Sequence, residues 1–503
     1  MEIKRVQVGV FWAIPSEVGQ SVLEVHKAYY TSEADCNGFV NYPYSHYEVW
    51  DDEVRDMGDD CYKYPRGRVL YDANASKYRI FADECVEPST IDEIVSLFAI
   101  DDYELCRDEH YVCAFCNRRQ RHNRPTLEYE ILRGKDAIGE NLIEITYGET
   151  KILVELGKSL AGGDEEFEQE VLSREYSAVV VSHYHEDHAG LIKYMCGCPI
   201  FIGSGARRIL SAVAEFHGEQ LPDNIKTYRN ARPINIGGVT VTPYLCDHSA
   251  YDSYMLLFEA GNKSILYTGD FRFHGRKDKD KLLSALPKSV DVLIHEGTNL
   301  GQNSCVISEI ELENKAADIM LASANPVFVL QSATNVDRLV SIYRASKRSG
   351  RTLYMDNFMS LVAIAAGGRI PRPDVFPDVI AFTPRRVVGK RKDMFFEIAN
   401  KRSLSGIAKG SKRYTMLIRP TMLKYVKKLI EQSVVKEATL IYSMWRGYKE
   451  LEYMSEFLSD MQELGVTVID LHTSGHARAE DIELLKQTVK AKEIVLVHTQ
   501  FRA

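Results

Sequence analysis

Within Ser182–Gly190, SHYHEDHAG, four side chains of metal-ligand type (His183, His185, Asp187 and His188) fall within six positions. The preceding Ser177–Val181, SAVVV, has the apolar, β-branched composition of a short buried strand. Residues two apart on an extended chain point the same way, so His183 and His185 can reach one ion. Asp187 and His188 follow a tight turn and can reach a second ion close by. Neutral imidazole and carboxylate are borderline-to-hard donors, which suits zinc, with manganese as a substitute. The bland alternative is a group of surface histidines in a loop. Four donors at this spacing after a buried strand favour a metal centre over it.

One loop cannot complete such a centre. Three further donors stand at the ends of other predicted strands: His248 follows GVTVTPYLCD, Asp270 closes SILYTGD and His498 closes EIVLVH. Each would point from a strand terminus toward a common edge. His183, His185 and His248 then serve one metal, and Asp187, His188 and His498 the other. Asp270 has two oxygens and can bridge both.

The elements that must position these residues are legible as alternation and turns. LEYEILR, NLIEITY and TKILVELG read as three strands, with turns at Gly139-Glu140 and Gly148-Glu149. A helix is expected over roughly 189–196, then PIFIG as a strand, GARRILSAVAEFHG as a helix, and GVTVTPYL, YMLLFEA and SILYTGD as strands. From about residue 300 the rhythm becomes strand–helix–strand (NPVFVLQS, NVDRLVSIYRASKRSG, RTLYMD), which implies a parallel sheet. ATLIYSMW and VTVIDLHTS supply later strands, EDIELLKQTVKA a late helix, and IVLVHT the last strand.

A chain of 503 residues is too long for one ordinary core. With 45% hydrophobic and 26% charged residues it has an ordinary globular composition, and no apolar run reaches membrane-spanning length. The ten cysteines show no framework spacing, which suggests reduced thiols and a cytoplasmic setting. Residues 1–122 read as a separate acidic unit of unrecognised kind. RVLYD and KYRIFAD form a probable hairpin there, and Thr90–Glu93 a capping box opening a helix. Cys113-Ala-Phe-Cys116, with Cys106, His110 and His122 nearby, is a weak structural-zinc candidate, because a second CxxC pair is missing. Residues 385–428 hold 14 Lys and Arg against two acidic residues, although the whole chain carries a net charge of -9.

The His-x-His-x-Asp-His pattern, followed by His248 and the Asp270 of TGDFRF, resembles the metallo-β-lactamase fold. Zinc β-lactamases carry a cysteine where Asp270 stands, which argues against antibiotic hydrolysis. Glu296 in VLIHEGT and His476 in TSGHA make the chain similar to the β-CASP branch, which includes ribonuclease J and the endonuclease subunit of the cleavage and polyadenylation factor. The resemblance implies an α/β architecture. A metallo-β-lactamase αββα sandwich would occupy 123–300 and 466–503. A Rossmann-like β-CASP cap would be inserted over 301–465. The resemblance covers roughly 127–503; residues 1–122 read from their own pattern as a separate small α+β domain.

The resemblance further implies a two-zinc ribonuclease hydrolysing phosphodiester bonds, with His476 as general acid, Glu296 charging and holding it, and Asp187 among the catalytic residues. Glu155, in ILVELG, stands where relatives usually carry the aspartate that orients the first histidine; one extra methylene would displace that contact. His at position 498 points to RNA over DNA. Within a cap, Arg385, Arg386, Lys390, Arg391, Lys392, Lys412 and Arg413 become candidates for a groove that tracks single-stranded RNA. Ser332 and Asn335 in QSATNVDR could meet a phosphate, or could simply cap a helix. Ser474 joins this RNA-facing set. The alternatives are a DNA nuclease of the same fold, a catalytically silent RNA-binding subunit and a small-molecule hydrolase. No membrane partner is expected, and self-association is left open.

Overall fold

The chain forms two compact units, Met1–Arg124 and Pro125–Ala503. The structure is a computed structural model. It describes residues 125–159, 165–301, 306–383, 398, 400–433 and 437–499, together with the backbone of seven strands before residue 107. Those strands are β1 (Gln7–Val8), β2 (Phe11–Pro15), β3 (Val22–Ala28), β4 (His46–Asp51), β5 (Gly67–Asp72), β6 (Lys77–Ala82) and β7 (Tyr103–Cys106). They lie side by side in chain order, antiparallel except for the parallel β6–β7 pair. The expected hairpin is β5–β6. The Thr90–Glu93 helix start and the Cys113–Cys116 pair lie outside the described residues.

The second unit begins with β8 (Glu128–Arg133), β9 (Leu142–Tyr147), β10 (Thr150–Val154), β11 (Ala178–Val180), β12 (Ile200–Gly203) and β13 (Ile225–Tyr228), one sheet in spatial order β13-β12-β11-β10-β9-β8. A second sheet starts with β14 (Ile234–Ile236), β15 (Val239–Cys246), β16 (Ser253–Ala260), β17 (Lys263–Tyr267) and β18 (Val292–Glu296). The chain then departs into an all-parallel sheet: β19 (Val327–Leu330), β20 (Thr352–Asp356), β21 (Val379–Phe382), β22 (Lys401–Arg402), β23 (Tyr414–Ile418), β24 (Ala438–Tyr442) and β25 (Val466–Asp470), ordered β22-β21-β20-β23-β19-β24-β25. It returns as β26 (Glu493–Val497), which pairs parallel with β18 and completes the second sheet.

Period-two alternation explains the layers. Ile152 and Val154 of β10, Ala178 and Val180 of β11, Leu256 and Phe258 of β16, and Ile265 and Tyr267 of β17 all enter one core between the first two sheets. Their neighbours Leu153 and Val179 face the helices outside the first sheet, and Met255, Leu257 and Leu266 face those outside the second. The result is a helix–sheet–sheet–helix sandwich. The inserted sheet is likewise buried on both faces, with Phe328 and Leu330 on one and Val327 and Val329 on the other. Each such fully buried side chain contributes on the order of 1.5–3 kcal/mol. Val336, Phe358 and Val362 of the insertion join the core outside the first sheet, so both lobes share apolar contact.

One expectation needs correction. The helix expected over 189–196 is instead Glu186–Ala189 followed by a 3-10 turn at Ile192–Tyr194. Loop hydrogen bonds from Leu191 N–H to Leu156 O and from Lys158 N–H to Glu186 O hold this backbone to the end of β10. The basic window 385–428 contains a fully buried strand, β23, in the middle of the inserted sheet. No helix among the described residues is long and apolar enough to cross a membrane.

Candidate metal centre

The strands that carry the predicted donors run in one direction and end on one edge of the sandwich. Backbone past β11 gives His183 and His185; the four-residue helix Glu186–Ala189 gives Asp187 and His188. His248 lies two residues past β15, Asp270 three past β17, Glu296 closes β18 and His498 follows β26. His498 adopts a left-handed φ of 52° and donates its N–H to Gly134 O at 2.6 Å, which turns the ring inward from the strand.

Donor atoms of His183, His185, His248 and Asp270 all lie within 4.8 Å of one another, as do those of Asp187, His188, Asp270 and His498. Asp270 is common to both sets. Its Oδ2 is 3.8 Å from His183 Nε2, 3.7 Å from His248 Nε2 and 3.3 Å from His188 Nε2, and its Oδ1 is 3.7 Å from His498 Nδ1. His498 Nε2 is 3.1 Å from Asp187 Oδ2.

The donor set fits cations on a specific observation. His183 Nε2 and both oxygens of Asp270 are buried without a hydrogen-bond partner among the described residues. Orphaned buried polar atoms are costly and rare, and divalent cations held between the two donor sets would satisfy all three. Burial also pushes His183 and His248 well below the ordinary imidazole value and His185 to about 4, so these rings keep the neutral form that binds metal. The rings are held from behind: His248 Nδ1 donates to Gly475 O at 2.6 Å, and His183 Nδ1 meets Ser182 Oγ at 2.9 Å.

Glu155 does not reach the first histidine. Its Oε1 is 3.2 Å from His188 Nδ1, and its Oε2 accepts the Ser182 N–H at 3.0 Å. A left-handed φ of 69° turns it off the end of β10 toward the helix Glu186–Ala189. The longer side chain therefore supports the last ligand of the motif.

At the edge of the cluster His476 Nδ1 is 3.1 Å from Glu296 Oε2. Glu296 is itself fixed, because its Oε1 accepts the N–H groups of Phe271 and Ala477. Burial lowers the His476 imidazole, but Glu296 and then Asp270 outweigh it and hold the group up to about 9. Ser474 braces this loop, since its Oγ accepts the His476 N–H and an amide hydrogen of Asn299.

The other predicted nucleic-acid contacts scatter. Arg385, Arg386, Lys390, Arg391 and Lys392 lie outside the described residues. Lys412 and Arg413 are exposed at the start of β23. The opposite, C-terminal edge of that sheet faces the cluster, because Tyr184 OH donates to Thr334 O just beyond β19. The structure therefore does not bring Lys412 and Arg413 to the centre. The Asn335 side chain accepts the Arg338 N–H and caps the helix Val336–Arg348, the simpler of its two readings. Ser332 is exposed, with its hydroxyl 3.0 Å from that of Thr334.

No family model matches the chain. It is 21% identical over 396 residues to ribonuclease J of Mycoplasma genitalium, an alignment covering 73% of this chain and 67% of that protein. It is 22% identical over 405 residues to ribonuclease J 1 of Streptococcus pyogenes, covering 73% of this chain and 68% of the relative. This chain is a relative of the ribonucleases J. A crystal structure of a protein of unknown function from Enterococcus faecalis shares the fold, with a TM-score of 0.61 at 19% identity over 74% of this chain and 94% of that one.

Two residues of this ribonuclease J relative escaped the sequence reading. The Thr298 hydroxyl lies 3.2 Å from His476 Nδ1 and 2.8 Å from His498 Nδ1, joining the two histidines. Asn141 lies 3.3 Å from His188 Nε2 and donates to Asp187 O. The position of Thr298 two residues past Glu296 was the available signal; Asn141, at the start of β9, offered none.

Proposed function

We propose that this chain is a metal-dependent ribonuclease of the β-CASP branch, hydrolysing phosphodiester bonds of single-stranded RNA. The inserted lobe, 301–465, acts as the cap over the sandwich formed by 123–300 and 466–503. The observation that carries this reading is the pair of donor sets sharing Asp270 with the Glu296–His476 pair at their margin, in a relative of the ribonucleases J. His183, His185 and His248 would hold one divalent cation, Asp187, His188 and His498 a second, and Asp270 would bridge them. The donors suit zinc, with manganese as its substitute. Cations bound there supply Lewis-acid polarisation of a phosphoryl oxygen and activation of water near neutral pH.

The chain's own residues do the rest. With Nδ1 committed to Glu296, His476 presents Nε2 as the atom that delivers a proton to the leaving ribose oxygen when the P–O bond breaks. Glu296 keeps that ring charged and aligned, and two backbone N–H groups keep Glu296 from rotating. His498 favours RNA by its likeness to RNA-directed members of the branch.

The test uses the full chain with end-labelled RNA and DNA of one sequence, each with and without a 5′ monophosphate, and with zinc or manganese. RNA cut in preference to DNA, abolished by chelation and restored by either metal, supports the reading. DNA cut as well as RNA moves the chain to a DNA nuclease of the same fold. Two metals bound and neither strand cut overturns the nuclease reading.

A further inference from the structure

Beyond β24 the protein leaves a run of aromatic and apolar side chains in solvent. Trp445 is 56% exposed, Tyr448 38%, Leu451 43% and Tyr453 54%. Single exposed apolar residues need no explanation; four within nine positions at one sheet edge do. That edge faces the metal centre. Ser443, two residues before Trp445, accepts a hydrogen bond from Arg338, which shares Glu309 with Arg272, two residues past Asp270.

The aromatic pair is a built feature. A Cβ on Gly447 would stand 2.2 Å from the six-membered ring of Trp445, so the indole covers the bare backbone of that glycine. Its edge meets the Tyr448 ring at right angles, with centroids 5.5 Å apart. The Trp445 carbonyl accepts from Tyr448 N–H at 3.2 Å and from Tyr442 OH at 3.1 Å, which pins the turn. One indole face is thus backed by the chain and the other is open. Arg446 lies between them in sequence, with a side chain 84% exposed and one nitrogen 3.5 Å from Asp470.

A flat, backed π-face beside a solvent-exposed guanidinium, adjoining a phosphodiester-cleaving centre, matches the chemistry of a nucleobase with its phosphate. We propose that Trp445 and Tyr448 form a stacking platform for bases of the strand whose phosphodiester enters the metal centre, with Arg446 beside a backbone phosphate. This inference rests on the ribonuclease reading. It makes recognition there dependent on the presence of a base and indifferent to which base.

The experiment measures binding of a fluorescein-labelled phosphorothioate hexaribonucleotide by polarisation, with a second strand carrying abasic sites. Indole quenching is taken as the difference between wild type and Trp445→Ala. The wild type should bind the abasic strand about tenfold more weakly than the intact one. Trp445→Ala should lose most of the difference between the two strands, Trp445→Phe should recover most of the affinity, and intact RNA should quench Trp445. Equal wild-type affinity for both strands, or an unquenched indole at saturating RNA, overturns the platform. Failure to bind the hexamer also overturns it, and cleavage of the longer RNA in the assay above then tells whether the nuclease reading stands alone. A Trp445→Ala that changes concentration-dependent mass but not RNA binding assigns the patch to protein association and overturns the proposal.

Discussion

Two buried charge clusters lie side by side, and they are solved in opposite ways. In the first, Asp270 and His183 leave buried atoms without partners. In the second, Arg272 engages all three guanidinium nitrogens: Nε on Asp247 at 2.7 Å, one Nη on Glu309 at 3.1 Å and on Ser474 O at 3.0 Å, the other on Asp337 at 2.9 Å. Arg338, also fully buried, adds Glu309, Ser443 and Thr473 O. Only Phe271 separates Asp270 from Arg272 in sequence. The satisfied cluster joins β15, the turn after β17, the inserted lobe and the His476 loop. The unsatisfied cluster leaves donor atoms unpaired among the described residues. Buried charge here holds lobes together in one place and, under the proposed function, would hold cations in the other.

This contrast can be broken experimentally. Asp270→Ala should lose bound metal and cleavage together, as read by metal stoichiometry and turnover. Chelation should lower the melting temperature of wild type but leave that of Asp270→Ala unchanged, because a ligand stabilises only the state that binds it. Arg272→Ala removes a cationic partner from three buried carboxylates and should cost about 3–5 kcal/mol in urea denaturation. His476→Ala should keep its metal and lower kcat by about 10²–10⁴-fold; normal turnover would remove the general-acid role.

The smallest effect concerns pH. Burial raises the Glu309 carboxyl, but Arg338 and Arg272 outweigh it and hold the group well below its ordinary value of 4.5. A depressed carboxyl contributes stability that is complete above the unfolded value and fades as pH falls through the folded one. The stability difference between wild type and Glu309→Gln should therefore be the same at pH 7 and pH 5, and shrink below about pH 4.

The sandwich strands and the donors at their ends were legible because both signals are local. A period of two marks a half-buried strand, and a ligand at its end needs no long-range knowledge. Asn141 was not legible, since nothing in its own neighbourhood distinguishes it from a loop polar residue; Thr298 offered only its closeness to Glu296 in sequence. Charge counting averages over a window that mixes exposed and buried residues: Lys412 and Arg413 precede a buried strand whose near end points away from the centre. Glu155 was found by likeness, yet its partner was decided by a left-handed turn that no residue count exposes.

The pairing of β18 with β26 has a consequence for the order of synthesis. Translation delivers His183, His185, His248 and Asp270 long before residue 498, and the whole inserted lobe must emerge between them. A nascent chain could collect one set of donors early. The second set closes only when β26 docks, so the centre is completed after the inserted lobe has been made.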